Sequence, residues 1–350
     1  MAQGTAERLL DWGAAARIGS GIAGSGSLSP RDRRAMDAEL GEVLREADAL
    51  VGDLTGLRLS GPPSRPWVMA RGEWVTQNLR AFREILEPIT ERLMRDRLDG
   101  PTAPLRRGAL AFQLGGILGY LGRKVLGQYD LFQPADDRDL LYFVGDNLVE
   151  LERRFRFAPR DFRLWLSLHE VTHRFQFEGV PWMRGYLFGL IEEYLSTLEL
   201  DPRKLVDALR RAYEEARSSG RWRELGIVSL LMTPEQRDTF RRMQALMSLL
   251  EGHGNFVMDR LGADHVRGAE RMRRVLHERR HRAGWNRLVQ RAVGVDVKVR
   301  QYDLGERFVA GVVERAGLDG FSRVWEAPEN LPTLDEVPRP DRWVERVAAP

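Results

Sequence analysis

Two histidines and a glutamate interrupt an otherwise apolar stretch of the chain, 165-WLSLHEVTHRFQFEG-179. His169, Glu170 and His173 stand among large apolar residues, where a protonatable side chain without a partner would destabilise the fold. Residues four positions apart lie about 40° apart around an α-helix, so the two imidazoles share one face. A helix of this composition therefore needs either a bound ion or buried hydrogen bonds at that face.

The spacing H-E-x-x-H is the arrangement found in zinc peptidases. Two neutral imidazoles on one helix face can bind one Zn²⁺ at about 2.0–2.1 Å each, and the metal lowers the pKa of a bound water toward neutrality. Glu170 lies about 100° around the helix from His169, where it can take a proton from that water. The pattern predicts a zinc site at His169 and His173, with Glu170 as the catalytic base. The alternative is that both histidines are hydrogen-bonded without a metal.

The absence of cysteine from the 350 residues restricts the remaining ligands. It excludes disulfides and thiolate zinc sites, so a third ligand has to be a histidine or a carboxylate. Glu251 is the first candidate, because a lone carboxylate would be costly to bury in the apolar helical stretch 246-LMSLLEGHGNFVMDR-260. Asn255 follows it by four residues on the same face and is expected to orient it.

His253 is the alternative third ligand. Positions 251 and 253 are about 200° apart on a helix, so both can face one ion only if Gly252 and Gly254 interrupt the helix. His253 could instead act as a catalytic residue that donates to an oxyanion, or be structural. The whole stretch could also be a polar helix surface. Tyr142 and Tyr186 are further candidates for stabilising an oxyanion.

Two other features of the sequence resemble binding sites. His277 and His281 are also four apart, but no carboxylate matches the position of Glu170, and we expect no second metal site there. The basic stretch 267–291 could contact nucleic acid. A solvated helical face is favoured, because Glu270 and Glu278 interrupt the basic run and no interleaved stacking aromatics accompany it.

The predicted fold is mainly α with a small β element. The composition, 43% hydrophobic and 30% charged, is typical of a globular chain. One strand stands out at Leu140–Val144, an uninterrupted apolar run closed by a Gly-Asp-Asn turn signal, and residues 66–70 are a short strand or an extended link. Helical periodicity predicts helices over about 30–51, 73–97, 106–125, 159–179 (with Pro159 or Asp161 as its first residue), 183–198, 202–218, 234–261, 264–282 and 302–316.

No long linker divides the sequence, so we predict one compact unit with three regions. These are a helical N-terminal region, 1–135, a metal-binding catalytic region, 136–325, and an irregular proline-rich tail, 326–350. The longest uncharged run, 108–122, is too short to span a bilayer and is expected to form a buried glycine-rich helix. The N-terminus lacks the pattern of a signal peptide, so we predict a soluble, cytoplasmic protein.

Two segments resemble a known family, HEVTHRFQFEGVPWMR from position 169 and LMSLLEGHGNFVMD from position 246. They are similar to actinobacterial zincin-like metalloproteases, whose members are often described as hydrolases associated with deazaflavin coenzyme biosynthesis. Softer similarities lie at 73–86, 126–132, 299–309 and 329–337. The resemblance thus covers most of the chain, from about residue 10 to about residue 337.

The resemblance implies a zincin-like metalloprotease fold with a mostly helical body. By position, it makes His169 and His173 the helix ligands and Glu251 the third ligand. It makes Glu170 the catalytic base. It also implies that Leu140–Val144 is the edge strand that pairs with an extended substrate in zincins.

The predicted function is therefore a zinc-dependent hydrolase, most simply a peptidase or amide hydrolase, with a peptide or small amide as substrate. The alternative is a non-catalytic scaffold or binding protein that keeps a zinc site for stability. Glu170 favours the enzyme, because a purely structural site gains nothing from a base beside it. Neither nucleic acid nor a membrane is an expected partner, and the sequence indicates no oligomeric state.

Overall fold

The computed structural model of the protein describes residues 10–26, 28–93, 103–197, 232–282 and 300–348. The chain forms two compact units that alternate along the sequence. The first contains residues 1–45 and 63–163, and the second contains residues 46–62 and 164–350. The boundaries predicted at 135 and 325 divide the chain differently and stay a prediction.

Helices and three short strands form the first unit. They are α1 (Trp12–Ala23), α2 (Pro30–Thr55), β1 (Arg65–Met69), α3 (Arg71–Leu93), α4 (Ala103–Gly122), β2 (Gly127–Tyr129), β3 (Leu140–Val144), α5 (Gly145–Phe155) and the start of α6 (Pro159–Glu178). The last residues of α2 and most of α6 belong to the second unit. The predicted strand at Leu140–Val144 is confirmed, and residues 66–70 fall mostly within a strand rather than a link.

The three strands form one sheet in the order β1-β3-β2. β1 runs parallel to β3, pairing Arg65 with Leu140, and β2 runs antiparallel to it, pairing Gly127 with Phe143. Both edges of β3 are therefore occupied by neighbouring strands. The expectation that β3 is an edge strand open to a substrate is wrong, because its backbone donors and acceptors are used within the sheet.

The glycine-rich helix α4 packs closely against α1 in the first unit. A Cβ on Gly115 would stand 2.5 Å from the Ala15 carbonyl oxygen, and one on Gly119 would stand 2.5 Å from that of Gly19. Only glycine allows this approach of two backbones. The prediction of a buried helix holds only for the face of α4 that contacts α1, since Leu105 and Phe112 on α4 are exposed. None of the described helices is long and apolar enough to cross a membrane.

The second unit is helical in its described part. Besides most of α6 it contains α7 (Met183–Ser196), α8 (Pro234–His265), α9 (Ala269–Arg282), α10 (Arg300–Ser322) and α11 (Pro340–Trp343). The helix predicted at 202–218 lies outside the described residues. α8 begins at a capping box in which the Thr233 hydroxyl accepts from the Gln236 amide and the Gln236 side chain accepts from the Thr233 amide.

The tail predicted to be irregular consists largely of short helical turns. Residues 328–330 form a 3₁₀ turn, and α11 is followed by a π-helical turn, Val344–Ala348. The fully buried Trp343 anchors this segment, with its Nε1 donating to the Asn330 carbonyl at 2.7 Å and its ring packed edge-on against Phe308. The tail therefore packs against the second unit through Trp343.

Candidate metal centre

Helix α6 presents His169 and His173 one turn apart, as the sequence predicts. The Nε2 atoms of the two rings are 3.1 Å apart and the ring planes are nearly perpendicular. The surrounding positions of the helix are buried, among them Leu168, Val171 and Phe175. The apolar residues hold the helix in the core, so the two imidazoles cannot turn toward bulk solvent.

Helix α8 places the carboxylate of Glu251 against these imidazoles. One carboxylate oxygen lies 3.6 Å from Nε2 of His169, and the other lies 3.9 Å from Nε2 of His173. The potential ligand atoms of the three residues all lie within 4.8 Å of one another. Within the described part of the chain, no other group of three histidine or acidic side chains converges in this way.

The three side chains fit a zinc ion. Two ligands at about 2.1 Å from a tetrahedral ion are about 3.4 Å apart, and the observed separations of 3.1, 3.6 and 3.9 Å bracket that value. Two imidazole nitrogens and one carboxylate oxygen are also a ligand set of catalytic zinc sites, which leave one position open. The residues could hold the ion with small side-chain adjustments.

The glycines of the Glu-Gly-His-Gly segment allow the two helices to meet at this site. A Cβ on Gly254 would lie 3.0 Å from Cε1 and Nδ1 of His169 and 3.3 Å from Cε1 of His173. On another side of α8, a Cβ on Gly252 would overlap the carbonyl group of Gly305 in α10. The glycines thus remove side chains without interrupting α8, which is continuous from Pro234 to His265.

The continuity of α8 decides the position of His253. Because the helix is not broken, His253 points away from the face of Glu251 and does not join the group of potential ligands. Its ring packs against Phe321 and Trp325, with centroid distances of 5.2 and 5.1 Å. Burial, followed by the charge of nearby His173, lowers the pKa of His253 to about 3. His253 is therefore neutral at physiological pH, and the geometry favours the structural alternative over the catalytic one.

The predicted base, Glu170, lies between the two histidines on α6 and is buried, with 7% of its surface exposed. A carboxylate at this depth keeps few contacts with bulk water, which suits a group that has to exchange a proton within a site. The sequence-predicted partner of Glu251, Asn255, is also buried, but its Oδ1 accepts no hydrogen bond from any described residue.

The two tyrosines predicted as oxyanion donors are engaged elsewhere. The Tyr142 hydroxyl interacts with Gln77 and Asp130 in the first unit, and burial raises its pKa. Tyr186 stacks edge-on with Trp182 and lies near Arg242, which precedes Glu251 by nine residues on α8. Nine residues of helix correspond to about 13 Å, so the position of Tyr186 does not support a role at the metal centre.

The basic helix α9 shows the features of a solvated surface. Arg273 pairs with Asp259 at 2.7 Å and with Glu306 at 2.9 Å, while Arg274 pairs with Glu270 on the same helix. His277 is exposed, and the side chain of His281 lies outside the described part. The charges of Arg273 and Arg274 are therefore paired within the protein, while the absence of a nucleic-acid partner stays a prediction.

Sequence reasoning missed Gln176, which lies three residues after His173. The side chain is fully buried, and its Oε1 is 2.9 Å from Nδ1 of His173. Its Nε2 lies 3.0 Å from the Leu250 carbonyl oxygen and 3.0 Å from Nδ1 of His253. A signal existed, because positions three apart share a helix face. The partners on α8 could not be inferred from spacing.

The helical framework and the two-histidine, one-carboxylate cluster match the arrangement of H-E-x-x-H metalloproteins. The model of the zincin-like metallopeptidase family matches residues 10–344, and the chain belongs to this family. The family implies a metal ion, typically zinc, and a hydrolase.

A solved structure from Chloroflexus aurantiacus is similar over the full length. It is described as a "putative hydrolase with a novel fold" and shares 32% sequence identity, with a TM-score of 0.74. The similarity covers 97% of this chain and 98% of the other. No curated protein matches the chain. The actinobacterial origin and the link to deazaflavin coenzyme biosynthesis stay predictions.

Proposed function

We propose that this protein is a zinc-dependent hydrolase of amide bonds, acting on a peptide or on a small amide. The observation that carries the proposal is the convergence of His169, His173 and Glu251 within 4.8 Å, on two helices that are far apart in the sequence. The glutamate that follows the first histidine supplies the second requirement of a hydrolase, a base beside the ligands.

Two imidazoles and one carboxylate would hold the ion. When bound, zinc supplies a Lewis-acid centre that polarises a carbonyl group and acidifies a water molecule. The ligand set contributes one negative charge against the two positive charges of the ion. The centre therefore keeps a net positive charge, which favours the negative oxygen that develops on an attacked carbonyl.

Glu170 is assigned the proton transfers. Its carboxylate takes a proton from the attacking water as the new carbon–oxygen bond forms. It then delivers that proton to the leaving nitrogen as the carbon–nitrogen bond breaks, so the carboxylate is regenerated. His253 takes no part in these transfers, because it is neutral and its Nδ1 is bonded to Gln176.

Metal content tests the ligand assignment. Protein prepared without added metal should contain close to one zinc per chain, and His173→Ala and Glu251→Ala should contain little. His277→Ala is the matched control, since this histidine is exposed and lies outside the cluster. Full zinc content in Glu251→Ala would remove this residue from the site.

Hydrolysis tests the role of Glu170. Glu170→Gln should keep the zinc. It should lower kcat by about 10²–10⁴-fold, the range of general-base catalysis, toward any fluorescence-quenched peptide or small amide that the wild type cleaves. Glu178→Gln is the control, because Glu178 ends the same helix and pairs with Arg184 at 2.5 Å. Glu170→Gln with undiminished turnover would contradict the assignment.

The scaffold alternative has an observation in its favour. The three ligands come from α6 and α8, so an ion would cross-link two helices and stabilise the fold without any turnover. If the protein binds zinc and gains stability, but no amide substrate is cleaved in a manner that Glu170→Gln abolishes, the scaffold replaces the hydrolase.

A further inference from the structure

The side chain of Gln176 connects the two helices of the candidate metal centre. It extends from α6, one turn after His173, and contacts α8 on both sides of Glu251. Its three hydrogen-bonding partners are Nδ1 of His173 at 2.9 Å, the Leu250 carbonyl oxygen at 3.0 Å and Nδ1 of His253 at 3.0 Å. All of these contacts are shielded from water, because Gln176 has no exposed surface.

The partners determine which end of the Gln176 amide faces which helix. A carbonyl oxygen can only accept a hydrogen bond, so the NH₂ group has to face Leu250. The amide oxygen then faces His173 and can only accept, so Nδ1 of His173 carries the hydrogen. A neutral imidazole has one protonated nitrogen, and its Nε2 is left with a lone pair directed at the cluster.

The second hydrogen of the Gln176 NH₂ group accounts for His253. It is donated to Nδ1 of His253, which therefore acts as the acceptor of the pair. The ring cannot turn away from this contact easily, because Phe321 and Trp325 pack against it. The Leu250 carbonyl prevents the amide from flipping, since a flip would place the amide oxygen against another oxygen that can only accept.

We propose that Gln176 is a positioning residue of the metal centre, which holds His173 with Nε2 available to the ion, and that His253 acts only through Gln176. This inference rests on the proposed function, because it assigns the neighbours of a proposed ligand. It explains why the Glu-Gly-His-Gly segment contains a histidine that does not reach the cluster. Partners of this kind change metal affinity by about 10–100-fold when they are removed.

The test compares zinc affinities measured by competition with a chelator on the full-length chain. Gln176→Met keeps the length of the side chain and removes all three hydrogen bonds, so zinc should bind about 10–100-fold more weakly. Gln133→Met is the matched control. Gln133 is also buried and donates to the Leu140 carbonyl at 3.0 Å, but it lies in the first unit. Its replacement should leave zinc affinity unchanged.

The role of His253 is tested by a pair of substitutions. His253→Phe keeps the packing against Phe321 and Trp325 but removes the acceptor, and should weaken zinc binding by about tenfold or less. His253→Asn places an amide oxygen where Nδ1 stood and should restore most of the affinity. Equal affinities of His253→Phe and the wild type would show that His253 does not act through Gln176.

A measurement on metal-free wild-type protein is independent of zinc binding and of the folding of any variant. The ¹⁵N chemical shifts of the imidazoles should show His173 protonated at Nδ1 and His253 protonated at Nε2. The inference is overturned if His173 is protonated mainly at Nε2, or if folded Gln176→Met binds zinc as tightly as the wild type. A wild-type protein that binds no zinc would refute the proposed function, and the ¹⁵N shifts would still decide the positions of the protons.

Discussion

At the scale of single residues, the candidate centre depends as much on a missing side chain as on the ligands. The rings of His169 and His173 come within 3.0 and 3.3 Å of the position that a Cβ on Gly254 would take, which is closer than an ordinary van der Waals contact. The position is inside a regular helix, where glycine destabilises by about 0.5–1 kcal/mol relative to alanine. The loss of helix stability caused by glycine is offset, because the missing side chain lets the imidazoles come close to the α8 backbone.

The substitution Gly254→Ala should therefore weaken zinc binding by about tenfold, because the added methyl group displaces both rings. It should also lower the free energy of unfolding by about 1–3 kcal/mol, as overpacking does in a well-packed core. Chelator competition and urea unfolding measure the two effects.

Gly189→Ala is the control for this prediction. Gly189 lies in α7, is exposed, and a Cβ there would meet nothing within 4 Å. The same chemical change should raise the free energy of unfolding by about 0.5–1 kcal/mol and leave the zinc affinity alone. A Gly254→Ala protein that behaves like Gly189→Ala would show that the rings are not confined by α8.

At the scale of secondary-structure elements, Glu336 joins the two ends of the tail to each other. Its carboxylate accepts from two nitrogens of Arg346 at 2.7 and 3.0 Å, and from the Thr333 amide at 2.8 Å. Burial alone raises the pKa of Glu336. The hydrogen bonds and charge of Arg346, together with Thr333, outweigh burial and hold the pKa below its ordinary value.

Glu336→Gln should reduce the free energy of unfolding by about 1–2 kcal/mol at neutral pH, since hydrogen bonds to a charged group are lost and Arg346 is partly exposed. The folded-state pKa of Glu336 is depressed, so its contribution is present above pH 4.5 and is lost as the pH falls through the folded value. Between about pH 6 and about pH 3.5, stability should thus fall less in the variant than in the wild type.

Urea unfolding at both pH values measures this difference. Metal-free protein is used, because release of metal at low pH would otherwise contribute to the loss of stability. Glu329→Gln is a suitable control, because its exposed side chain lies in the same tail. Parallel pH profiles of wild type and Glu336→Gln would contradict the role given to this carboxylate.

At the scale of the whole molecule, all three proposed ligands belong to the second unit. A bound ion stabilises the folded state by about 2.7 kcal/mol when it is present at 100 times its dissociation constant. Zinc should therefore slow amide hydrogen exchange in segments 164–178 and 246–258 by up to about 100-fold, and much less in the sheet segment 127–144. Equal slowing in all three segments would contradict a site confined to the second unit.

The periodic parts of the fold were predictable from the sequence. The strand at Leu140–Val144 and the helix from Pro159 match the structure closely, because a long apolar pattern determines them locally. Helix α5 was missed, since it begins at a Gly-Asp-Asn signal for a turn. There, the Asp146 carboxylate accepts from Leu28 and the Asn147 amide donates to the carbonyls of Gly122 and Val125.

For the candidate site, the sequence predicts the potential ligands, but it does not predict the residues that position them. Imidazole and carboxylate chemistry pointed to His169, His173 and Glu251, which the structure brings together, although their binding of a metal stays a prediction. The role of Gln176 depends on which atoms of α8 it faces, and no local pattern contains that information. The same holds for β3, whose central position depends on its pairing with β1 and β2.

Helix α8 is constrained on opposite sides within one turn, by the imidazoles at Gly254 and by α10 at Gly252. Farther along, Gly262 is held against Trp165. Adding or deleting one residue between 254 and 262 would rotate everything beyond it by about 100°. The contact at Gly262 would then be out of register with those at Gly252 and Gly254. The segment should accept point substitutions at its exposed positions, yet tolerate no change of length.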